Sequence, residues 1–327
     1  MSQTEKLGQM VMIGIQGTKV DDDSLYMLNQ YHMGGVILFD RNMESPEQVK
    51  QLTSDLQAQS NEKVPLFIGI DEEGGDVVRM AEKLTPPPSQ KEIGATGDIE
   101  QAKTWAIKTA KSLKDMGINV NFAPVADVGS NDKRSYSADA NTVIDFVRAA
   151  TKGYQQENII YSLKHFPGIG KGRVDSHVDS SSIDVAKEVL MTEDIIPFKT
   201  IIDENDPNDY FILVSHLKYL ALDEEYPASL SSKIMTDLLR NELGYKGIII
   251  TDDMEMGAVA NHNDFRSIGV KSIKAGADIV LVCHEYKHQQ EVYLGLLDAV
   301  NSGEISQERI DESVKRIIKV KLLHLYQ

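Results

Sequence analysis

The chain is poor in cysteine and in positive charge. Its single cysteine, Cys283, has no internal partner for a disulfide and cannot by itself build a thiolate zinc site. Thirty-four Lys and Arg stand against fifty Asp and Glu, a formal net charge of −16. Such a surface repels phosphate backbones and anionic lipid, so no nucleic-acid partner and no membrane partner is expected. No apolar run approaches the ~18 residues of a spanning helix. The opening MSQTEKLGQMVMIGIQG has no basic leader segment, and Gly8, Gln9 and Gly14 interrupt its apolar stretch. The expectation is a cytoplasmic protein. Internal repeats, low-complexity tracts and a Gly-rich dinucleotide fingerprint after the first strand are also missing.

What is present is a chain of 327 residues, 41% hydrophobic, ample for one large core. Eight short apolar runs recur: Met10–Ile15, Gly35–Phe39, Leu66–Ile70, Ile118–Phe122, Ile159–Leu163, Phe211–Val214, Gly247–Ile250 and Asp278–Val282. Several are continuously apolar, which suits strands buried on both faces. Helical patterns separate them. Ser45-Pro46-Glu47-Gln48 offers a capping Ser, Pro at the first helical position and a Gln placed to close a capping box. Tyr293, Leu296, Leu297 and Val300 share one helix face, and Ile310, Val314, Ile317 and Ile318 form another stripe. This alternation predicts an α/β fold, a (β/α)8 TIM-type barrel forming a single catalytic domain over residues 1–327. The Pro86–Pro88 cluster reads as a rigid loop within the third connection.

Barrel active sites gather at the C-terminal ends of the strands. There the chain carries Asp71-Glu72-Glu73, Asp127, Lys164-His165, Ser215-His216, Asp252-Asp253 and Cys283-His284. Alternation along the strand predicts that Asp252 and Asp253 face opposite ways, one into the cavity and one capping the next helix. A carboxylate at a barrel mouth suits attack on an anomeric carbon. In the segment PGIGKGRVDSHVDSSS, Asp175 stands two residues from His177, a spacing that lets a carboxylate orient an imidazole for proton transfer. A metal site from Asp175, His177 and Asp179 is a weaker reading of the same residues, and no metal or cofactor is expected. Lys164-His165 can hold sugar hydroxyls; alternatively, Lys164 is a Schiff-base lysine of an aldolase or lyase, a role that needs a depressed pKa.

The ordered series GGVILFDRN, GIDEEGGDVVRM, NFAPVADV, LKHFPG with VDSH, PASLS, GIIITDDMEMGAV and AGADIVLVCH resembles the single-domain β-N-acetylglucosaminidases of glycoside hydrolase family 3. The resemblance runs over nearly the whole chain. It implies a retaining exo-acting enzyme that removes terminal N-acetylglucosamine, with peptidoglycan-fragment recycling as its setting. Asp252 would be the nucleophile, and His177 the acid/base with Asp175 behind it. Asp71, Arg134, Lys164 and His165 would hold the sugar, a carbohydrate being the expected partner. The chain departs from the family pattern in reading PGIGK where PGHGD is usual, and Asp76 where Arg often follows Glu-Gly-Gly. A catalytically degenerate sugar-binding barrel is the alternative that the altered loop supports. Lys171 and Arg173 in that segment suggest recognition of an anionic aglycone.

Overall fold

The computed structural model describes residues 1–60, 64–80, 84–129, 133–172 and 182–326. Ten strands run in chain order: β1 (Val11–Gly14), β2 (Gly35–Leu38), β3 (Phe67–Ile70), β4 (Val120–Asn121), β5 (Ile160–Phe166), β6 (Ser182–Ile183), β7 (Tyr210–Val214), β8 (Lys218–Tyr219), β9 (Ile248–Asp253) and β10 (Ile279–Val282). Eight of them close a barrel in the order β1-β10-β9-β7-β5-β4-β3-β2, all parallel, while β6 and β8 form a separate two-stranded sheet. Each barrel strand falls on one of the eight apolar runs. The extra pair has two residues per strand, too short to carry a hydrophobic period.

Continuous apolar strands are stable here because both faces are covered: the barrel interior on one side, the helices on the other. Ile37, Phe67, Phe122, Phe211, Ile250 and Leu281 are all buried. The helix Pro46–Gln59 begins as expected, Ser45 Oγ accepting from Gln48 N at 3.1 Å. The reciprocal half of the box is replaced. Gln48 Oε1 accepts from Glu44 N at 2.7 Å and its Nε2 donates to the Thr18 carbonyl at 2.7 Å, so the side chain ties neighbouring loops instead. Both C-terminal stripes lie on helices, Tyr286–Asn301 and Gln307–His324.

The last helix secures the end of the barrel at which the strands begin. Lys321 is fully buried, and its Nζ donates to Gln9 Oε1 at 2.6 Å and to the Gly34 carbonyl at 2.7 Å, just before β1 and β2. Asp278, immediately before β10, accepts from Ser313 Oγ at 2.6 Å, pairs with Arg316 at 2.9 Å and also pairs with Arg240. At the opposite end the strands deliver their polar residues. One turn there depends on glycine: Gly74 and Gly75 have φ of +107° and +61°, and a Cβ on Gly74 would lie 2.3 Å from the Pro88 carbonyl oxygen. Gly75 N donates to the Pro87 carbonyl at 3.1 Å, so the proline loop braces this turn.

Candidate active site

The strand ends enclose a cavity of about 290 Å³, at the small end of the range for ligand sites. Ile37, Phe122, Leu213 and Leu281 supply apolar surface from the barrel interior, while Asp71, Glu73, Arg134, Lys164, Asp252 and Asp253 supply polar groups. Five residues expected at the site therefore line one cavity: Asp71, Arg134, Lys164, His165 and Asp252. His177 and Asp175, the expected acid/base dyad, lie outside the described residues, as does Asp179.

The fixed charges form one network. Lys164 lies buried in the last half of β5, its Nζ 2.6 Å from Asp71 Oδ1 and 2.6 Å from Glu73 Oε1. An ammonium has three donors, so one N–H is left for a ligand. Glu73 also takes a bidentate pair from Arg134, Nε to Oε2 at 2.9 Å and Nη2 to Oε1 at 2.7 Å. Burial disfavours the charged form of Glu73, but Lys164 and Arg134 outweigh it and hold the carboxyl well below the usual carboxylate range. Burial likewise opposes the charge on Lys164, and Asp71 and Glu73 outweigh it, raising the pKa. A Schiff-base lysine needs the reverse shift, so this geometry disfavours the aldolase alternative.

His165 borders the cavity with both ring nitrogens engaged. Its Nδ1 lies 2.8 Å from Asp127 Oδ2 and its Nε2 3.0 Å from Arg134 Nη2. Guanidinium only donates, so Nε2 accepts and Nδ1 carries the proton toward Asp127. The imidazole therefore orients Arg134, where the sequence suggested direct bonds to sugar hydroxyls. Asp127 Oδ1 also accepts from the backbone N–H groups of His165 and Ile169 at 3.1 and 2.9 Å, joining β5 to the loop that follows it.

Asp252 emerges at the end of β9 with Oδ1 accepting from Asp253 N at 2.8 Å, and Oδ2 has no protein partner among the described residues. Asp253 departs from the expected alternation, since it too lines the cavity. The β9–β10 register shifts between Ile279 and Leu281, so Asp253 pairs across with Leu281, and a bulge of this kind re-aims side chains. Its Oδ1 accepts from Glu255 N and from Cys283 N, both at 3.1 Å, and its Oδ2 lies 3.3 Å from His284 Nε2. His216 fixes the same turn by hydrogen-bonding the Asp253 carbonyl through Nε2 at 2.7 Å.

Of the two residues expected to read an anion, Lys171 is turned to other partners. Lys171 Nζ is held by Asp194 at 2.5 Å and Glu193 at 2.9 Å and does not line the site, while Arg173 lies outside the described residues. Two carboxylates this close are a better partner for the ammonium than a solvated ligand. Sequence reasoning did not find Glu73 as the hub or Asp127 as the histidine's partner; both stand at strand ends, which was the available signal. Among the described residues no group of three His, Cys, Asp or Glu is arranged to hold a metal ion. No helix there is long and apolar enough to cross a membrane.

Glu72 neighbours the hub but faces away from the cavity lining. Its Oε2 accepts from Arg79 N at 2.7 Å, yet burial pushes its carboxyl up to about 7. Unfolding then releases a proton between about pH 4.5 and 7, so stability falls as pH rises through that window. Glu72→Gln is expected to flatten this slope and to stabilise the fold above pH 7 by roughly 1–3 kcal/mol, read from denaturation midpoints across pH.

A closed parallel barrel with an apolar floor and a compact ion-paired cavity at its strand ends has the form of a barrel site for a small polar ligand. The sequence matches the glycosyl hydrolase family 3 N-terminal domain over residues 2–320. It is 35% identical over 326 residues to β-hexosaminidase A of Pseudoalteromonas piscicida, covering 90% of this chain and 54% of that protein. It is 30% identical over 318 residues to a β-hexosaminidase of Nitrosomonas eutropha, covering 93% of this chain and 90% of that one. A family 3 β-N-acetylglucosaminidase structure from a Paenibacillus species superposes with a TM-score of 0.95 at 37% identity, over 98% of this chain and 62% of that chain. The chain belongs to glycoside hydrolase family 3. It spans about half the length of the Pseudoalteromonas relative and nearly all of the Nitrosomonas one.

Proposed function

We propose that the chain is a retaining exo-β-N-acetylglucosaminidase acting in the cytoplasm on N-acetylglucosamine-terminated glycosides, peptidoglycan fragments among them. The observation that carries the reading is Asp252, whose Oδ2 has no partner among the described residues and which borders the same small cavity as the Asp71–Lys164–Glu73–Arg134 network. The relatives named above as β-hexosaminidases and a β-N-acetylglucosaminidase support the choice of sugar.

The chemistry follows from these groups. The non-reducing sugar enters the cavity, where the remaining N–H of Lys164, the guanidinium of Arg134 and the carboxylate of Asp71 meet its hydroxyls. Asp252 Oδ2 attacks the anomeric carbon as the bond to the leaving oxygen breaks, giving a covalent glycosyl ester. A general acid protonates that oxygen, and the same group as base then takes a proton from the water that hydrolyses the ester. We assign this role to His177, with Asp175 orienting its ring; both lie outside the described residues.

The test is a panel of nitrophenyl β-glycosides with and without phosphate. Release from the N-acetylglucosaminide, well above the glucoside and without acceleration by phosphate, is expected. Inactivity on every glycoside combined with binding of N-acetylglucosamine would favour a degenerate sugar-binding barrel. On the active substrates His177→Ala should lose at least about tenfold more rate with a poor leaving group than with nitrophenolate, because only the poor one needs the proton. Equal losses on both would remove the histidine from this role.

A further inference from the structure

We propose that the mouth of this cavity discriminates against leaving sugars that carry a free carboxylate, with Asp76 as the specificity-determining residue. The inference rests on the glycosidase reading above and deepens it by naming the aglycone class. The apolar barrel interior closes the inner end of the cavity, so a terminal sugar sits inside and its aglycone faces outward. The charged groups lining the cavity are Asp71, Glu73, Asp76, Asp252 and Asp253 against Arg79, Arg134 and Lys164, an excess of negative charge among the described residues.

Each lining cation already faces carboxylates. Lys164 and Arg134 serve Glu73 and Asp71, and Arg79 lies 3.2 Å from Asp40 and 3.6 Å from Asp71. Lys171, which the sequence offered as an anion receptor, is bound by Glu193 and Asp194. Asp76 lines the cavity with its side chain 71% exposed, which places it at the solvent side of the mouth. Its partner Lys133, 3.1 Å away, is itself 62% exposed and does not line the cavity. A pair this solvated contributes little, and with Lys133 outside the lining the charge that borders the cavity there is Asp76. An anionic aglycone therefore meets Asp76 on a lining with more carboxylates than cations among the described residues, whereas an uncharged or amine-bearing sugar meets no such penalty.

The experiment compares four disaccharides with the same non-reducing N-acetylglucosamine. Their second sugars are N-acetylglucosamine, glucosamine, N-acetylmuramic acid and the carboxamide of N-acetylmuramic acid. The carboxamide keeps the lactyl bulk and removes only the charge. In low salt the carboxylate is expected to lower kcat/KM about three- to tenfold relative to the carboxamide, a gap that narrows at high ionic strength. Asp76→Asn should shrink the gap and Asp76→Arg should close or invert it. A carboxylate-to-carboxamide ratio unchanged by salt and by both variants, with N-acetylglucosamine still released, would overturn the charge assignment alone. Release from none of the four would overturn the glycosidase reading itself.

Discussion

Asp252→Asn is expected to abolish turnover, lowering kcat by on the order of 10⁴-fold or more, because an amide oxygen cannot form the glycosyl ester. The substitution is nearly isosteric, and the amide oxygen still accepts from Asp253 N, so the turn at the end of β9 is retained. Loss of rate with an unchanged denaturation midpoint separates this from unfolding. A slow fluorinated N-acetylglucosaminide should accumulate as an adduct on Asp252 in the unsubstituted protein, located by peptide mass. An adduct on another carboxylate, or an active Asn variant, would displace Asp252 from the nucleophile's position.

Removing the hub of the ion network should have the largest effect on stability. Glu73→Ala strips Arg134 of its bidentate partner and Lys164 of one of its two carboxylates, in a place where neither cation regains full hydration. Breaking a buried pair from one side costs about 3–5 kcal/mol. The expected result is a correspondingly lower denaturation midpoint together with loss of sugar binding. Because the Glu73 carboxyl is held low, its contribution is fully present above about pH 4.5 and fades only as strong acid protonates it. The Ala variant should therefore lose part of the acid limb of the stability profile. A variant as stable and as acid-sensitive as the parent would show that the network contributes nothing net.

The barrel was legible because its strands are buried on both faces, and runs such as Ile248–Ile250 and Ile279–Val282 leave no polar alternation to misread. Strand ends were legible for the same reason: an ionisable residue directly after such a run has to surface at the mouth. Pairing among those residues was not. Glu73 and Arg134 come from two separate connections and Lys164 from β5, and only closure of the barrel places them within hydrogen-bond distance. Lys171 misled for a related reason, since its carboxylate partners Glu193 and Asp194 follow more than twenty residues later on an irregular helical segment, Leu190–Asp194. The slip in register at β9 and β10 likewise has no local signature, and it brought Asp253 to the cavity where strict alternation turned it away.

Lys321 and Asp278 act as rivets at the far rim, well removed from the chemistry. They fasten the closing helix to β1, β2 and β10, holding that end of the scaffold with side chains separate from those that greet a ligand. Exposed residues at the entrance, such as Asp76, take no part in that fastening. That separation makes this barrel a practical frame for redirecting a glycosidase toward new leaving groups without rebuilding its foundation.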